Sequence, residues 1–409
     1  MNHKILVIAD GRSPTARSWI AHLLKLGFEV SLVSTYRAEP VPGVREAIVL
    51  PLALSRFQPN GSAKGGQKPQ AGASSWLKKV IRRLSPLILK LRYLVGPLSA
   101  RMAAGKYRTF LKQVQPDLVH ALRIPYEGLL GRFTPEGIPF LVATWGNDLT
   151  LHALGSPWMK TATRRCLERA DGLTSDTLRD IRLAHEWGLH PDAPTLAVPG
   201  SGGLDLDVID RISPAEFDPA KYNLPASGAW VVNPRGMRPG SVHQDVFFAA
   251  IPKILAQAPD TFFICPVLAG VRQAEEWVRG WNIADRIFLL PKLPQNELFA
   301  LFKRSQVFVS PSSHDGTPNT LLEALACGCA PVAGRIESLE EWISPGENGE
   351  LVNPRDPNAL AKAVLDALHS PEKRRQAAEI NRELLLARAA DQATLPAIAA
   401  FYNRFLPQK

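Results

Sequence analysis

The feature that most constrains this chain is a rhythm that starts twice. Short β-branched or apolar runs alternate with longer helical patterns. In the first half the runs are KILVIA (4–9), FEVSLVS (28–34), DLVHAL (117–122), PFLVAT (139–144), DGLTS (171–175) and TLAVP (195–199). A second series follows: AWVVN (229–233), TFFICP (261–266), RIFLL (286–290), QVFVS from Gln306, and APVAG (330–334). Such alternation predicts parallel sheets flanked by helices. At 409 residues the chain is also too long for one ordinary core. The expected fold class is therefore α/β, with two Rossmann-like doubly wound domains facing a cleft. Ligands in such sheets sit at the C-terminal strand edges.

The domain boundary falls in PGSGGLDLDVIDRISPAEFDPAKYNLPASG (199–228), rich in Gly, Pro and Ser. This gives an N-terminal domain over 1–203 and a C-terminal domain over 204–390. Residues 391–409 form a last helix, free to pack back on the first domain. The helical pattern from about 357 to 406 breaks near Pro371 and Pro396. In the first domain, SPTARSWIAHLLKLG predicts a helix closed at Gly27.

Charge is unevenly placed. The stretch from Ala47 to Pro116 holds 13 Lys and Arg and no Asp or Glu, leaving 35 basic against 38 acidic residues elsewhere. Within it, PNGSAKGGQKPQAGASS (59–75) reads as a loop. Next comes a basic amphipathic segment, about 76–112. Trp76, Leu77, Val80, Ile81, Leu84, Leu87, Ile88 and Leu91 recur at helical spacing, with Lys78, Lys79, Arg82 and Arg83 on another face. Two readings are open: an anionic membrane surface as partner, or a helix packed on its own domain with a solvated basic face. A nucleic-acid partner is not expected, because no binding motif is recognised and the aromatics are not interleaved with the basic residues. The start MNHKILVIAD reads as a strand and not a signal peptide. No run of eighteen apolar residues suggests a spanning helix. The expected location is cytoplasmic, or peripheral on the inner face of a membrane. Four scattered cysteines argue against a disulfide framework, and Cys327-Gly-Cys329 reads as small buried side chains before it reads as a redox pair.

The densest chemistry lies in SHDGTPNTLLEALACG (313–328). A loop leaves the buried strand QVFVS, and Asn319 or Thr320 caps a helix running to Gly328. A helix amino end offers free amides and the positive pole of the helix dipole, which suits a phosphate. The expected donors run from Asn319 through Thr320 and Leu321 to Leu322, since Pro318 has no N–H. Glu323, one turn in, either accepts from ribose hydroxyls or merely favours the dipole. Asp315 either reaches a sugar hydroxyl or is a turn residue.

These residues carry a resemblance. SPSSHDGTPNTLLEALACGCAPVAG followed by GENGELVNPRDPNALAKAV resembles the C-terminal signature of retaining family-4 glycosyltransferases: two acids with seven residues between, a Leu-Glu-Ala helix, a Pro-Val strand and a Gly-x-Asn-Gly turn. The chain keeps Gly316, Glu323, Gly328, Pro331-Val332 and Gly346-x-Asn348-Gly349, and has Asp315 where the family usually has Glu. Upstream, VVNPRGMRPGSVHQDVFFAAIPKIL is similar to the segment that places an Arg and then a Lys on the donor diphosphate. Arg235 matches the Arg; no Lys follows at the family spacing, and Arg238 is the candidate substitute. VPGSGGLDLDVI, PDLVHAL and ATWGNDL are similar to the linker signature and to two strands bordering the acceptor. His120 matches a frequent His, and GRSPTARSW retains only Gly11 of an expected glycine-rich loop.

The resemblance implies a GT-B fold and a metal-independent, retaining sugar transfer. The donor would be a nucleotide-diphospho-sugar, UDP- or GDP-linked, held by the C-terminal domain, with no other cofactor. A saccharide or lipid-linked acceptor on the N-terminal domain would serve surface polysaccharide or lipopolysaccharide synthesis. Asp315, His120 and Asp148 become candidate catalytic residues. Arg235, Arg238, His314, Gly316, Asn319, Thr320, Leu321 and Glu323 become candidate donor contacts. His120 can be a hydrogen-bonded cleft residue or a base, and Asp148 can orient an acceptor hydroxyl or cap a helix. His314 can touch the sugar or face solvent. Glu340 or Glu341 can support a basic site residue or be solvated. Asp205 and Asp207 read as a turn and not a metal site. Two rivals remain open on the same fold: a nucleotide-sugar 2-epimerase and a non-catalytic partner subunit.

Overall fold

A computed structural model describes residues 3–53, 55 and 85–407, with the backbone alone over 85–90. The chain forms two compact units. The first comprises the described residues of 1–176, 180–202 and 395–409; the second comprises 177–179 and 203–394.

The first unit holds a seven-stranded parallel sheet in the order β3-β2-β1-β4-β5-β6-β7. Its strands are β1 Lys4–Ala9, β2 Glu29–Ser34, β3 Ala47–Val49, β4 Leu118–Ala121, β5 Phe140–Thr144, β6 Gly172–Ser175 and β7 Thr195–Ala197. The second unit holds a six-stranded parallel sheet, β10-β9-β8-β11-β12-β13. These are β8 Ala229–Val232, β9 Thr261–Cys265, β10 Ile287–Leu289, β11 Val307–Ser310, β12 Ala330–Gly334 and β13 Glu350–Val352. The edge strands β3 and β13 escape the sequence reading, being three residues each and lacking a long apolar run.

The runs are apolar throughout because both faces of each sheet are covered. In β1, Ile5, Val7 and Ala9 enter one core, and Leu6 and Ile8 the other. In the second sheet, Trp230 and Val232 enter one core and Val231 the other. Each sheet reverses its winding once, between β1 and β4 and between β8 and β11. Each unit therefore has one crevice at the carboxyl ends of its central strands.

Ser13 caps the helix Pro14–Lys25, and Gly27 follows in the left-handed region at φ 83°. The helix Ser85–Val114 buries Tyr93, Ala100, Tyr107, Phe110 and Leu111. Its exposed face carries Leu91, Leu94, Leu98 and Met102. The loop read at 59–75 and the part of the amphipathic segment at 76–84 lie outside the described residues.

The C-terminal helices run Pro357–His369, Pro371–Arg388 and Asp391–Asn403. The second break corrects the expectation at Pro396, which lies inside the last helix. The break sits at Ala389–Ala390, where Leu204 donates to the Ala389 carbonyl (2.8 Å) and accepts from the Asp391 amide (2.9 Å). A strand-like bridge, not proline, ends the preceding helix. Asp205 accepts from Val208 N–H at 3.0 Å and so caps the short helix Leu206–Arg211.

Candidate active site

The crevice of the second unit is built from the loops after β8 and β11. Leaving β8, the fully buried Asn233 accepts from the Arg235 amide (3.0 Å) and donates to Gln244 (2.8 Å); Gln244 in turn donates to the Arg235 carbonyl. This small amide network fixes the backbone that carries Arg235. The guanidinium, only 6% exposed, pairs with the Asp315 carboxylate, itself 7% exposed. Nη1 also donates to Thr320 Oγ1 at 3.4 Å, and among the described residues the buried Nε has no partner.

Asp315 is held from several sides. Its carboxylate accepts from Ser312 Oγ (3.4 Å) and from Gly316 N–H (3.2 Å). Its carbonyl accepts from Ser338 Oγ and from Arg179 Nη1, both at 2.9 Å. Close approach here needs glycine: a Cβ on Gly334 of β12 would lie 2.1 Å from the Ser312 carbonyl oxygen. A carboxylate and a guanidinium buried together must satisfy one another, and removing either strands the other.

The helix from this loop spans Asn319–Ala326. Its cap corrects the sequence reading. Pro318 is the N-cap, no side chain caps the end, and Asn319 and Thr320 lie in the first turn. The amides of Leu321 and Leu322 turn back on the Pro318 carbonyl, at 2.9 and 3.4 Å. Of the amides expected from 319 to 322, those of Leu321 and Leu322 are thus engaged within the helix, and the Leu321 side chain serves the core. Proline at the cap fixes φ at −66° and so aims the first turn without a side-chain cap. Glu323 is nine-tenths buried, receives Gln295 Nε2 at 3.4 Å, and is pushed by burial to a pKa of about 7, against the pull of that hydrogen bond. The helix ends before Cys327, and Gly328 takes φ 84°. Burial holds the Cys327 thiol near 12 and Cys329 well above its usual value, so both stay protonated.

His314 is half-buried beside Asp315, where its carbonyl accepts from Ser241 Oγ at 2.8 Å. Arg238 is exposed on the turn that its carbonyl closes with the Ser241 and Val242 amides. Glu341 accepts from the Leu178 and Arg179 amides (2.9 and 3.0 Å) at the start of the helix Leu178–Glu186.

Two candidate catalytic residues of the first unit are fully buried. His120 lies inside β4, on the face occupied by Trp19 and Tyr402, because the period of two along the strand aims it into that core. Nδ1 meets Tyr402 Oη and Nε2 lies 3.2 Å from Thr174 Oγ1. Trp19 Nε1 donates to the same Tyr402 hydroxyl at 3.1 Å. His120 therefore shares the Tyr402 hydroxyl with Trp19. Burial lowers its pKa to about 3. Of the two readings, a hydrogen-bonded residue or a base, this placement favours the first. Asp148 is fully buried, pairs with Arg123, and accepts from the Ile124 and Trp145 amides at 3.3 Å. It holds the Arg123 guanidinium and the backbone at Ile124 and Trp145.

Sequence reasoning overlooked Asn233, Gln244, Ser312, Ser338 and Arg179. The signal for the first lay in Asn-Pro-Arg (233–235), an amide two residues before the cation.

Residues 241–384 match the profile of a family described as glycosyl transferases group 1. A D-inositol 3-phosphate glycosyltransferase of Geodermatophilus obscurus is 31% identical over 207 residues, 48% of this chain and 45% of that protein. A GDP-mannose-dependent alpha-(1-6)-phosphatidylinositol monomannoside mannosyltransferase of Mycolicibacterium smegmatis is 29% identical over 140 residues, covering 32% and 36% of the two chains. The chain thus spans less than half the length of either curated relative. Among solved structures, a sucrose-phosphate synthase from Thermosynechococcus elongatus superposes with TM-score 0.69 at 18% identity, over 98% of this chain and 99% of that one. Anabaena HepE in complex with UDP superposes with TM-score 0.71 at 13% identity, over 98% and 100%. This chain therefore has the GT-B fold, and its residues 241–384 match the glycosyl transferases group 1 profile.

Proposed function

We propose that the chain is a retaining, metal-independent glycosyltransferase that moves a sugar from a nucleotide-diphospho-sugar to a saccharide or lipid-linked acceptor. The observation that carries this reading is the crevice between β8 and β11. A buried guanidinium with an unpartnered Nε stands there beside the first turn of the helix Asn319–Ala326. Departure of a nucleoside diphosphate builds negative charge. Arg235, Thr320 and the first-turn amides would stabilise that charge where solvent is excluded. Asp315 keeps Arg235 in place. Glu323, once ionised, would accept from the ribose hydroxyls. The relatives' names, all glycosyltransferases, and the UDP held by a structural neighbour support the same reading. UDP and GDP sugars are the favoured donors, in cell-surface polysaccharide or lipopolysaccharide assembly.

Thermal unfolding of the full chain with UDP, GDP and ADP tests the donor reading. At a hundredfold excess over Kd, a matching nucleotide stabilises by about 2.7 kcal/mol. If none shifts the transition, the reading fails. Product anomeric configuration, read by proton NMR, tests retention.

No helix among the described residues is long and apolar enough to cross a membrane. Peripheral contact, on the cytoplasmic face, is supported by the face of Ser85–Val114 that carries Leu91, Leu94, Leu98 and Met102, with exposed Arg101, Arg108 and Lys112 nearby in sequence. Sedimentation with anionic liposomes at low salt, compared with neutral ones, would remove this clause if the two gave the same binding.

A further inference from the structure

The crevice of the first unit, between β1 and β4, holds a second cluster of charge. Three guanidinium groups converge on it from separate segments. Arg12 follows β1 and is gripped by both oxygens of Asp10, at 3.0 and 2.9 Å. Arg123 follows β4 and pairs with Asp148. Arg92 comes from the helix Ser85–Val114 and, among the described residues, pairs with no carboxylate. Its Nη2 donates to Tyr36 Oη at 2.6 Å, its guanidinium carbon lies 5.0 Å from the Tyr126 ring centroid, and its buried Nε has no partner.

The surroundings are assembled at a cost. Tyr126 takes φ 70°, a left-handed conformation that a bulky residue adopts only when its neighbours enforce it. Gly96 on the helix makes room: a Cβ there would sit 2.5 Å from the Tyr126 ring. On the other side, Arg12 stacks over Tyr36 at 3.7 Å. Asp176 also acts on Arg123, and Glu127 accepts from Thr35 Oγ1 at 2.6 Å. Burial pushes its pKa to about 7, so it supplies only part of a negative charge at neutral pH.

Resting on the glycosyltransferase reading, we infer that the β1/β4 crevice binds an acceptor sugar or polyol carrying an oxyanion, a phosphate or a carboxylate, which Arg92 meets between Tyr36 and Tyr126. A planar guanidinium with a free edge suits an oxyanion bidentately. Flanking aromatic rings suit the apolar faces of a sugar.

The test is calorimetric titration of the full chain with glucose 6-phosphate, glucuronate and glucose, alongside the best nucleotide from the donor screen. At least one of the two anions should bind, neutral glucose should bind far more weakly, and the better anion identifies the group. Arg92→Gln should weaken that anion roughly ten- to hundredfold, the value of a charge-assisted hydrogen bond, with nucleotide affinity unchanged. Arg92→Lys, which keeps the charge and loses the fork, should fall between, and circular dichroism checks that both variants fold. The inference is overturned if neither anion binds while the nucleotide does, or if Arg92→Gln and Arg92→Lys bind the anion like the wild type. Anion binding without any nucleotide binding would leave this site standing and remove the donor reading.

Discussion

The two crevices obey one topological rule and solve opposite problems. Behind β8 and β11, the charges are few and matched: Arg235 faces Asp315, and both backbones are fixed by neighbouring amides and hydroxyls. Behind β1 and β4, three guanidinium groups meet Asp10, Asp148 and Asp176, with Glu127 pushed by burial to a pKa of about 7. The first is a closed pair beside a helix amino end, suited to a ligand part common to many reactions. The second is a cluster gathered from distant segments, in which Arg92 pairs with no carboxylate among the described residues, suited to discrimination. A doubly wound sheet fixes where a ligand goes, and the loops decide what it is.

The comparison breaks most readily at Arg235. Arg235→Ala should abolish measurable nucleotide binding and leave Asp315 buried without its cation, a loss of about 3–5 kcal/mol in stability by denaturant unfolding. Retention of both would show that this crevice is not the charged one that matters. A smaller effect is expected at His120, which belongs to neither crevice. His120→Ala should cost about 1–3 kcal/mol of stability while leaving nucleotide affinity intact. Its titration has a definite sign. The folded pKa near 3 lies below that of the unfolded chain, so stability is full above about pH 6.5 and is lost as pH falls towards 3. The variant should lose that slope in unfolding measurements across pH 4 to 7.

Glu323 sharpens the donor side. Its folded pKa of about 7 lies above the usual carboxyl value, so charging it costs stability as pH rises from about 4.5 to 7. A nucleotide that needs the carboxylate should bind more tightly between pH 6 and 8, by up to about tenfold per unit. Glu323→Gln should flatten the profile in calorimetry. The smallest effect is expected at Glu127, which sits among Thr35, Arg123, Asp10, Tyr36 and Tyr126. Its ionisation above pH 7 adds negative charge beside Arg92, so oxyanion affinity should drop several-fold from pH 6 to 8. Glu127→Gln should remove the drop, measured with the same sugar acid or phosphate.

The β8/β11 crevice was legible because its chemistry is nearly contiguous. Residues 313–328 carry a strand exit, a turn and a helix start, and Asp315 and Glu323 stand on either side of that start. Details of the cap were not, since Pro318 leaves its role to backbone geometry. The other crevice was nearly invisible. Asp10, Arg12, Tyr36, Arg92 and Tyr126 come together only through strand order and a long helix. Gly11 was noticed for a resemblance, while its neighbours Asp10 and Arg12 carry the charge. His120 misled for the reverse reason. A histidine near a strand end looks chemical until the strand's alternation shows which face it takes, and its partner Tyr402 lies 282 positions away. Period-two reasoning on the strand alone could have placed it inward; nothing local could have named that partner.

The clasp on Tyr402 has a consequence for how the chain matures. Ile398, Phe401, Tyr402 and Leu406 fill the same core as Trp19 and strand β1, so that strand lacks part of its packing until residues 398–406 have left the ribosome. Nascent first units must wait, with a gap beside His120, through the synthesis of the whole second unit. A fragment stopping before residue 395 should behave accordingly: it would carry the entire seven-stranded sheet and still be captured by chaperones.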